Sequence, residues 1–341
     1  MAIGKRPVPM IARLRQRLEE LLRQRPREPL DHYRQWMRSR ALGWAGLGSD
    51  PADGALLAQR FVETDTTTEV SARAVEELLS TGRTGGRGLR PQNPTDLRPL
   101  TVLEAWMLQR RMLLMGAAGS GKSFTLARLA LALLDDRWQG LGRRPEAMPL
   151  GSLPVLLDLG GYAAWLARSS GPGSGLLAFL RQELAAQQLT DVDTALQAAL
   201  QKGEAVVLAD GIDEVAEAYR DPVAMALLAL EQRFPGVAIL VSCRSDEPCA
   251  LPAERFPRYL LAPLTPVQQR ALLRWPPDEA LGDTWPPEPL LALLEKPWLA
   301  LLAGNPLLLA TMARVYCHDR GLPVEQAMLL ERLVDIWLWR G

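Results

Sequence analysis

Apolar and polar positions change period along the chain, and the changes mark out its organisation. Residues 8–24, PMIARLRQRLEELLRQR, place Ile11, Leu14, Leu18 and Leu21 on one helical face with arginines elsewhere. Pro26 and Pro29 end that helix, and a second is predicted over 31–42. Residues 80–98 are rich in Gly, Pro and Arg and almost free of apolar side chains, the composition of a linker or exposed loop. Beyond it, short apolar runs at 112–115, 155–159, 205–209, 237–241 and 259–262 alternate with helical stretches at 122–134, 175–187, 192–202 and 222–233. Such alternation predicts βαβ units and an α/β fold, a five-stranded parallel sheet with helices on both faces. From residue 265 onward only helical patterning remains. The expected organisation is a mainly helical region with its linker over 1–95, an α/β core over 96–264 and a helical domain over 265–341.

Composition narrows the picture. In 341 residues, 39 basic side chains balance 39 acidic ones, with 48% apolar and 23% charged residues, as in a folded globular chain. A zero net charge gives no reason to expect bulk attraction to nucleic acid or an anionic membrane. The charge is uneven, however: residues 5–40 hold eleven basic and four acidic side chains, a local +7 offset by −7 elsewhere. This reads as a solvated helix face packed on a neighbour, with nucleic acid or another anionic partner as the alternative. Three cysteines and two histidines support neither a disulfide framework nor a zinc cluster, so a reducing, cytoplasmic setting is expected. The uncharged stretch 297–313 is broken at Asn305-Pro306 and reads as a pair of buried helices rather than a membrane span.

Directly after the first apolar strand stands Gly116-Ala117-Ala118-Gly119-Ser120-Gly121-Lys122-Ser123, followed by Phe124 and an apolar helix. This is G-x-x-x-x-G-K-[ST] in its strand–loop–helix context. The glycines let backbone amides curl round a phosphate without a Cβ in the way. The helix that begins near Lys122 directs its positive end at the same anion. Lys122 supplies a point charge between β- and γ-phosphates, and the Ser123 hydroxyl is a magnesium ligand. The residues from Gly116 to Phe124 are therefore the predicted nucleotide cradle, for ATP or ADP with Mg²⁺.

A second apolar strand ends AVVLAD, placing Asp210 at the carboxyl edge of the sheet, where ligands of such sheets bind. Asp210 is expected to hold Mg²⁺, directly or through water. Asp213 and Glu214 follow, and either can orient or deprotonate the attacking water; capping of the next helix is the alternative role. The next strand ends in Arg244, which can reach a γ-phosphate or merely form a surface ion pair. The chain has four lysines (Lys5, Lys122, Lys202, Lys296), and none follows an asparagine. The guanine-reading N-K-x-D motif is thus absent, and adenine becomes the expected base. A strand between the phosphate loop and the acidic strand is the layout of additional-strand ATPases, with sheet order 5-1-4-3-2.

The wording of residues 101–341 resembles the NACHT family, a branch of the STAND signalling ATPases. TVLEAWMLQRRMLLMGAAGSGKS is similar to that family's entry into its phosphate loop, and ALQAALQKGEAVVLADGIDEV to its helix and acidic strand. FPGVAILVSCRSDE and RYLLAPLTPVQQRALLRW resemble its arginine-ended strand and its exit into helices, and MLLERLVDIWLWRG the helix that follows. GNPLLLATMARVYCHDRGLP resembles the segment whose proline packs on adenine, a role the resemblance gives to Pro306. The resemblance implies a slow ATPase switch, closed with ADP, open and self-associating with ATP, coupled to an effector and a sensor, and serving immune-type, antiphage signalling in bacteria. The family's winged-helix domain with its phosphate-contacting histidine, and its sensor region, have no counterpart here, and His318 lies too early. A fragment or a minimal member is therefore expected. No effector motif is legible in residues 1–95.

Three other outputs fit the same motifs. An AAA+-like ATPase would remodel or load nucleic acid or protein, with fast, partner-stimulated turnover. A scaffold would retain nucleotide without hydrolysis. A small-molecule kinase fits least, because the lid pattern after the third core strand is missing.

Overall fold

The computed structural model describes residues 28–46, 61–71, 97–135, 152–169, 175–274, 285 and 288–339. The predicted helix over 8–24 and most of the 80–98 segment lie outside the described residues.

Five strands build the central sheet: β3 (Arg111–Gly116), β4 (Leu153–Asp158), β5 (Ala205–Asp210), β6 (Ala238–Arg244) and β7 (Arg258–Leu260). Every pairing among them is parallel, in the order β4-β5-β6-β3-β7. Counted from β3, that is the expected 5-1-4-3-2 order read from the far edge. The strands are near-continuous apolar runs because both faces are covered, as in LPVLLD and AVVLAD, whose residues are buried except at the final acid. β6 sits between β3 and β5, and its register brings Gly116 beside Arg244; at the far edge Asp158 lies beside Asp210. All the polar strand ends thus gather at one carboxyl edge.

A second, antiparallel ribbon of β1 (Asp65–Ser71) and β2 (Leu97–Thr101) leans on this sheet through a bridge from Thr66 to Leu261. The sequence pattern foresaw neither β1 nor β2, and Leu97 and Arg98 of β2 fall in the segment read as a linker, because paired backbone rather than apolar side chains defines this ribbon. Helix α1 (Glu28–Trp44) lies against α3 (Lys122–Asp135) and β4, its Tyr33 hydroxyl donating to the Pro154 carbonyl at 2.8 Å. Arg38 pairs with Asp135, and Arg40 with Glu183 at 3.0 Å. Two arginines of the basic N-terminal segment are therefore neutralised within the fold. α2 (Val102–Leu108) starts on a reciprocal cap between Thr101 and Glu104 and leads into β3. α4 (Leu159–Arg168), α5 (Leu176–Ala186), α6 (Val192–Lys202) and α7 (Glu217–Arg233) complete the layers round the sheet.

One apolar cluster runs from Tyr33 to Leu261, and a second from Leu264 to Leu333. The second belongs to α8 (Pro266–Leu273), α9 (Glu288–Leu294), α10 (Pro297–Ala303), α11 (Pro306–Asp319) and α12 (Gln326–Trp339). Thr265 and Gln268 cap α8 reciprocally, and Gln268 Nε2 also donates to the Glu63 carbonyl (3.0 Å) and Asp65 Oδ2 (2.9 Å). That one side chain ties the helical module to the start of β1. Among the described residues no single helix is long and apolar enough to cross a membrane. The apolar pair α10–α11 is bent by 116° at Gly304-Asn305.

Candidate nucleotide site at the carboxyl edge of the sheet

The loop from Gly116 to Gly121 connects β3 to α3. Gly119 (φ +74°) and Gly121 (φ +94°) occupy the left-handed region, where a side chain would be strained. Gly116 is crowded instead: a Cβ there would lie 2.5 Å from Ser120 Oγ. Lys122 opens α3 but turns back over the loop, donating to the carbonyls of Gly116 (2.8 Å) and Ala117 (3.0 Å). Burial pulls its pKa below the usual lysine value, while the nearby carboxylates of Asp213 and Asp210 act in the opposite sense. The first turn of α3 is fixed by Thr125, whose N–H and hydroxyl both donate to the Gly121 carbonyl at 2.9 Å. Ser123 and Phe124 follow Lys122 in the same turn, and Phe124 stacks against Phe61 at 6.1 Å between ring centres. Ser120 Oγ is buried without a hydrogen-bond partner. A buried hydroxyl costs about 1–3 kcal/mol when unpaired, so the loop holds an unanswered polar group where the sequence predicts phosphate.

On the neighbouring strand β6, Ser242 donates to Asp210 Oδ1 and accepts from the Gly211 N–H at 2.8 Å. One serine thus orients the carboxylate at the strand end and the peptide beside it. Gly211 (φ +77°) turns the chain into a short 3₁₀ turn, Ile212–Glu214, which sends its two acids in different directions. Asp213 turns inward; its side chain is 4% exposed and accepts from the Arg244 N–H (2.9 Å) and Arg244 Nε (3.1 Å). Glu214 is 64% exposed, and the Arg244 guanidinium approaches it only to 4.0 Å. Partial burial, then the charges of Asp213 and Asp210, raise the pKa of Glu214 above the ordinary carboxylate value, with Arg244 opposing. Asp213 is bound, and Glu214 is the carboxylate left facing solvent.

Pro306 begins α11, and its Cγ lies 3.9 Å from where a Cβ on Gly121 would stand. The structure therefore gathers the predicted loop residues, Asp210, Asp213, Glu214, Arg244 and Pro306 at one edge. Three contributors escaped the sequence reading. Ser242 is the polar position inside the run AILVSCR, two residues before Arg244 and so on the same strand face. Asn305 stands at the cap position before a helical proline, a recognisable signal. Phe61 carries no local signal at all.

Magnesium fits the donor set. Ser123 and Asp210 offer hard oxygens, and among the described residues no group of three or more His, Cys, Asp or Glu could hold a metal alone. Magnesium bound with nucleotide needs only one or two protein ligands, because phosphates and water complete its shell.

No family model matches the chain, and no curated protein matches it. Solved structures do match, among them C. elegans PCH-2, 16% identical over 48% of this chain and 38% of that one, with a TM-score of 0.28. Another is the Aeropyrum pernix ORC1 protein in complex with DNA, 15% identical over 77% of this chain and 64% of that one, with a TM-score of 0.33. The chain spans less than two thirds of the length of either protein. Such similarity concerns fold alone. The P-loop NTPase fold stands on this chain's own sheet order and phosphate loop, and neither structure adds to the NACHT resemblance.

Proposed function

We propose that the chain binds ATP and ADP with Mg²⁺ and hydrolyses ATP at the carboxyl edge of its sheet. The observation that carries this reading is the convergence, on one edge, of the glycine-rich loop, Lys122, Asp210 and the Asp213–Arg244 pair. The loop amides and Lys122 bind the β- and γ-phosphates. Ser123 and Asp210 would hold Mg²⁺, which when bound supplies positive charge to the β- and γ-oxygens. Ser242 holds Asp210 in place for that task. Glu214 takes the proton of the attacking water, because its raised pKa improves it as a base and Arg244 approaches it only to 4.0 Å. Asp213 aims Arg244, whose guanidinium answers the γ-phosphate when it exchanges carboxylate for phosphate. Pro306 lies against the base, for which adenine is the expected identity.

The biological output follows from the helical module. The resemblance of residues 101–341 to NACHT proteins supports a signalling switch that self-associates with ATP, and it is the ground for a defence role. A second reading is an ATPase that remodels or loads nucleic acid or protein. The sheet order followed by a helical module seated on the phosphate loop supports it as well as it supports the switch. One experiment addresses both. The nucleotide released from the purified protein is identified by mass, and phosphate release is followed with Mg-ATP alone and with single-stranded DNA, alongside particle mass in ADP and ATP. Slow turnover with a larger particle in ATP supports the switch, and stimulated turnover supports the remodeller. Absence of both bound nucleotide and phosphate release contradicts the ATPase reading.

A further inference from the structure

Four consecutive carbonyls of the phosphate loop each accept a hydrogen bond, and two of the four are held by the helical module. Lys122 Nζ takes those of Gly116 and Ala117, at 2.8 and 3.0 Å. The helical module takes the next two: Asn305 Nδ2 donates to the Ala118 carbonyl at 2.8 Å, and the Leu307 N–H donates to the Gly119 carbonyl at 3.2 Å. Asn305 does two jobs at once. Its Oδ1 caps α11 by accepting from the N–H groups of Leu307 (3.0 Å) and Leu308 (3.2 Å), while its Nδ2 reaches the loop. The fit is close, because a Cβ on Gly119 would lie 2.8 Å from Leu307 Cβ and 2.9 Å from Asn305 Oδ1.

The peptide group explains what such bonds do. In a trans peptide the C=O and the following N–H point in opposite directions. Holding the carbonyls of residues 118 and 119 from outside therefore turns the amides of Gly119 and Ser120 away from the helical module. Those amides belong to the set that the loop presents to phosphate, and the Ser120 amide now rests on the Ala117 carbonyl at 3.2 Å within the turn. Ordering a loop before the ligand arrives spares the ligand that entropy cost.

We propose that Asn305 is a positioning residue for phosphate binding: the helical module sets the backbone of the phosphate loop from behind, through the Ala118 and Gly119 carbonyls. This rests on the nucleotide-binding reading above. Loop order and module docking then form a single coupled equilibrium. A nucleotide that tightens the loop also tightens the seat of α11, and loosening α11 weakens the nucleotide site by the same factor.

The test separates the cap from the loop contact. Asn305→Ser keeps a neutral capping oxygen but has no donor that reaches Ala118. The full chain and this variant are titrated with Mg-ATP and with Mg-ADP, and hydrogen exchange is measured on peptides covering the loop and α11. The expected result is an unchanged melting temperature without nucleotide, a dissociation constant weaker by about 3–10-fold for both nucleotides, and faster exchange in the loop and the first turn of α11 but not elsewhere. A purely structural role would alter the melting temperature and leave the affinity alone. Asn305→Asp also caps without donating, and it serves if the serine variant does not fold. Affinity and loop exchange like those of the wild type would overturn the inference while leaving the nucleotide site standing. A wild-type chain that binds neither nucleotide would overturn the site reading and this inference together.

Discussion

Asp213 and Glu214 are neighbours in sequence with different fates, and the cause is one left-handed glycine. Gly211 starts a 3₁₀ turn that carries Asp213 under β6 to Arg244 and leaves Glu214 outside. Glu214→Gln should therefore lower phosphate release by at least about 100-fold while Mg-ATP affinity stays within about 3-fold, measured by a phosphate-release assay and by titration. The raised Glu214 pKa fixes the sign of two pH effects. Turnover should fall, as pH drops, at a higher pH than an ordinary carboxylate would give. The folded protein also holds this proton more tightly than the unfolded chain, so stability from protonation is present at low pH and lost as pH rises through the folded-state value. Without nucleotide, Glu214→Gln should melt slightly higher than the wild type at pH 7 and equally at pH 3. The loop, Asp210 and Arg244 were legible in the sequence because backbone sterics and strand ends dictate those residue types. Which acid remains free was not, since it depends on the direction of a single turn.

Elements were legible wherever burial writes itself in apolar residues. The five core strands follow from apolar runs separated by helices, as a sheet covered on both faces requires, whereas the order of the sheet was expected from the layout of additional-strand ATPases and matches it. β1 escaped because its inward positions are largely threonine: in DTTTEVS, Thr66 and Val70 are buried while Thr67 and Glu69 are exposed. A period of two is present, but polar side chains carry much of it. Thr66 belongs inside because its hydroxyl donates to the Leu100 carbonyl at 2.8 Å. The junction of α6 with β5 shows how tightly elements are joined. Gly203 (φ +69°) ends α6, and a Cβ there would lie 2.7 Å from the Gly236 carbonyl oxygen. Gly203→Ala should destabilise the protein by about 1–3 kcal/mol in urea unfolding, since the strain falls on backbone that cannot rotate away.

At the scale of the whole molecule, neutrality is a sum of opposites. Part of the basic N-terminal excess meets acids of the fold, Arg38 with Asp135 and Arg40 with Glu183. Among the described residues the helical module reaches the α/β part through Gln268 on the start of β1 and through Asn305 and Leu307 on the phosphate loop. Both are side-chain or cap contacts between elements far apart in sequence, which is why no local pattern announced them. A module seated on the loop that takes up phosphate gives nucleotide state a direct route to domain arrangement. Everything in that account depends on the loop and Lys122 binding a nucleotide. The most direct measurement is calorimetric titration of Mg-ATP into the wild type and into Lys122→Ala, with melting of both proteins as the control for folding. The account predicts binding to the wild type and a loss of at least about 30-fold in the variant at nearly equal stability, as expected for removing a charged donor from phosphate. Equal affinity in two folded proteins would contradict it.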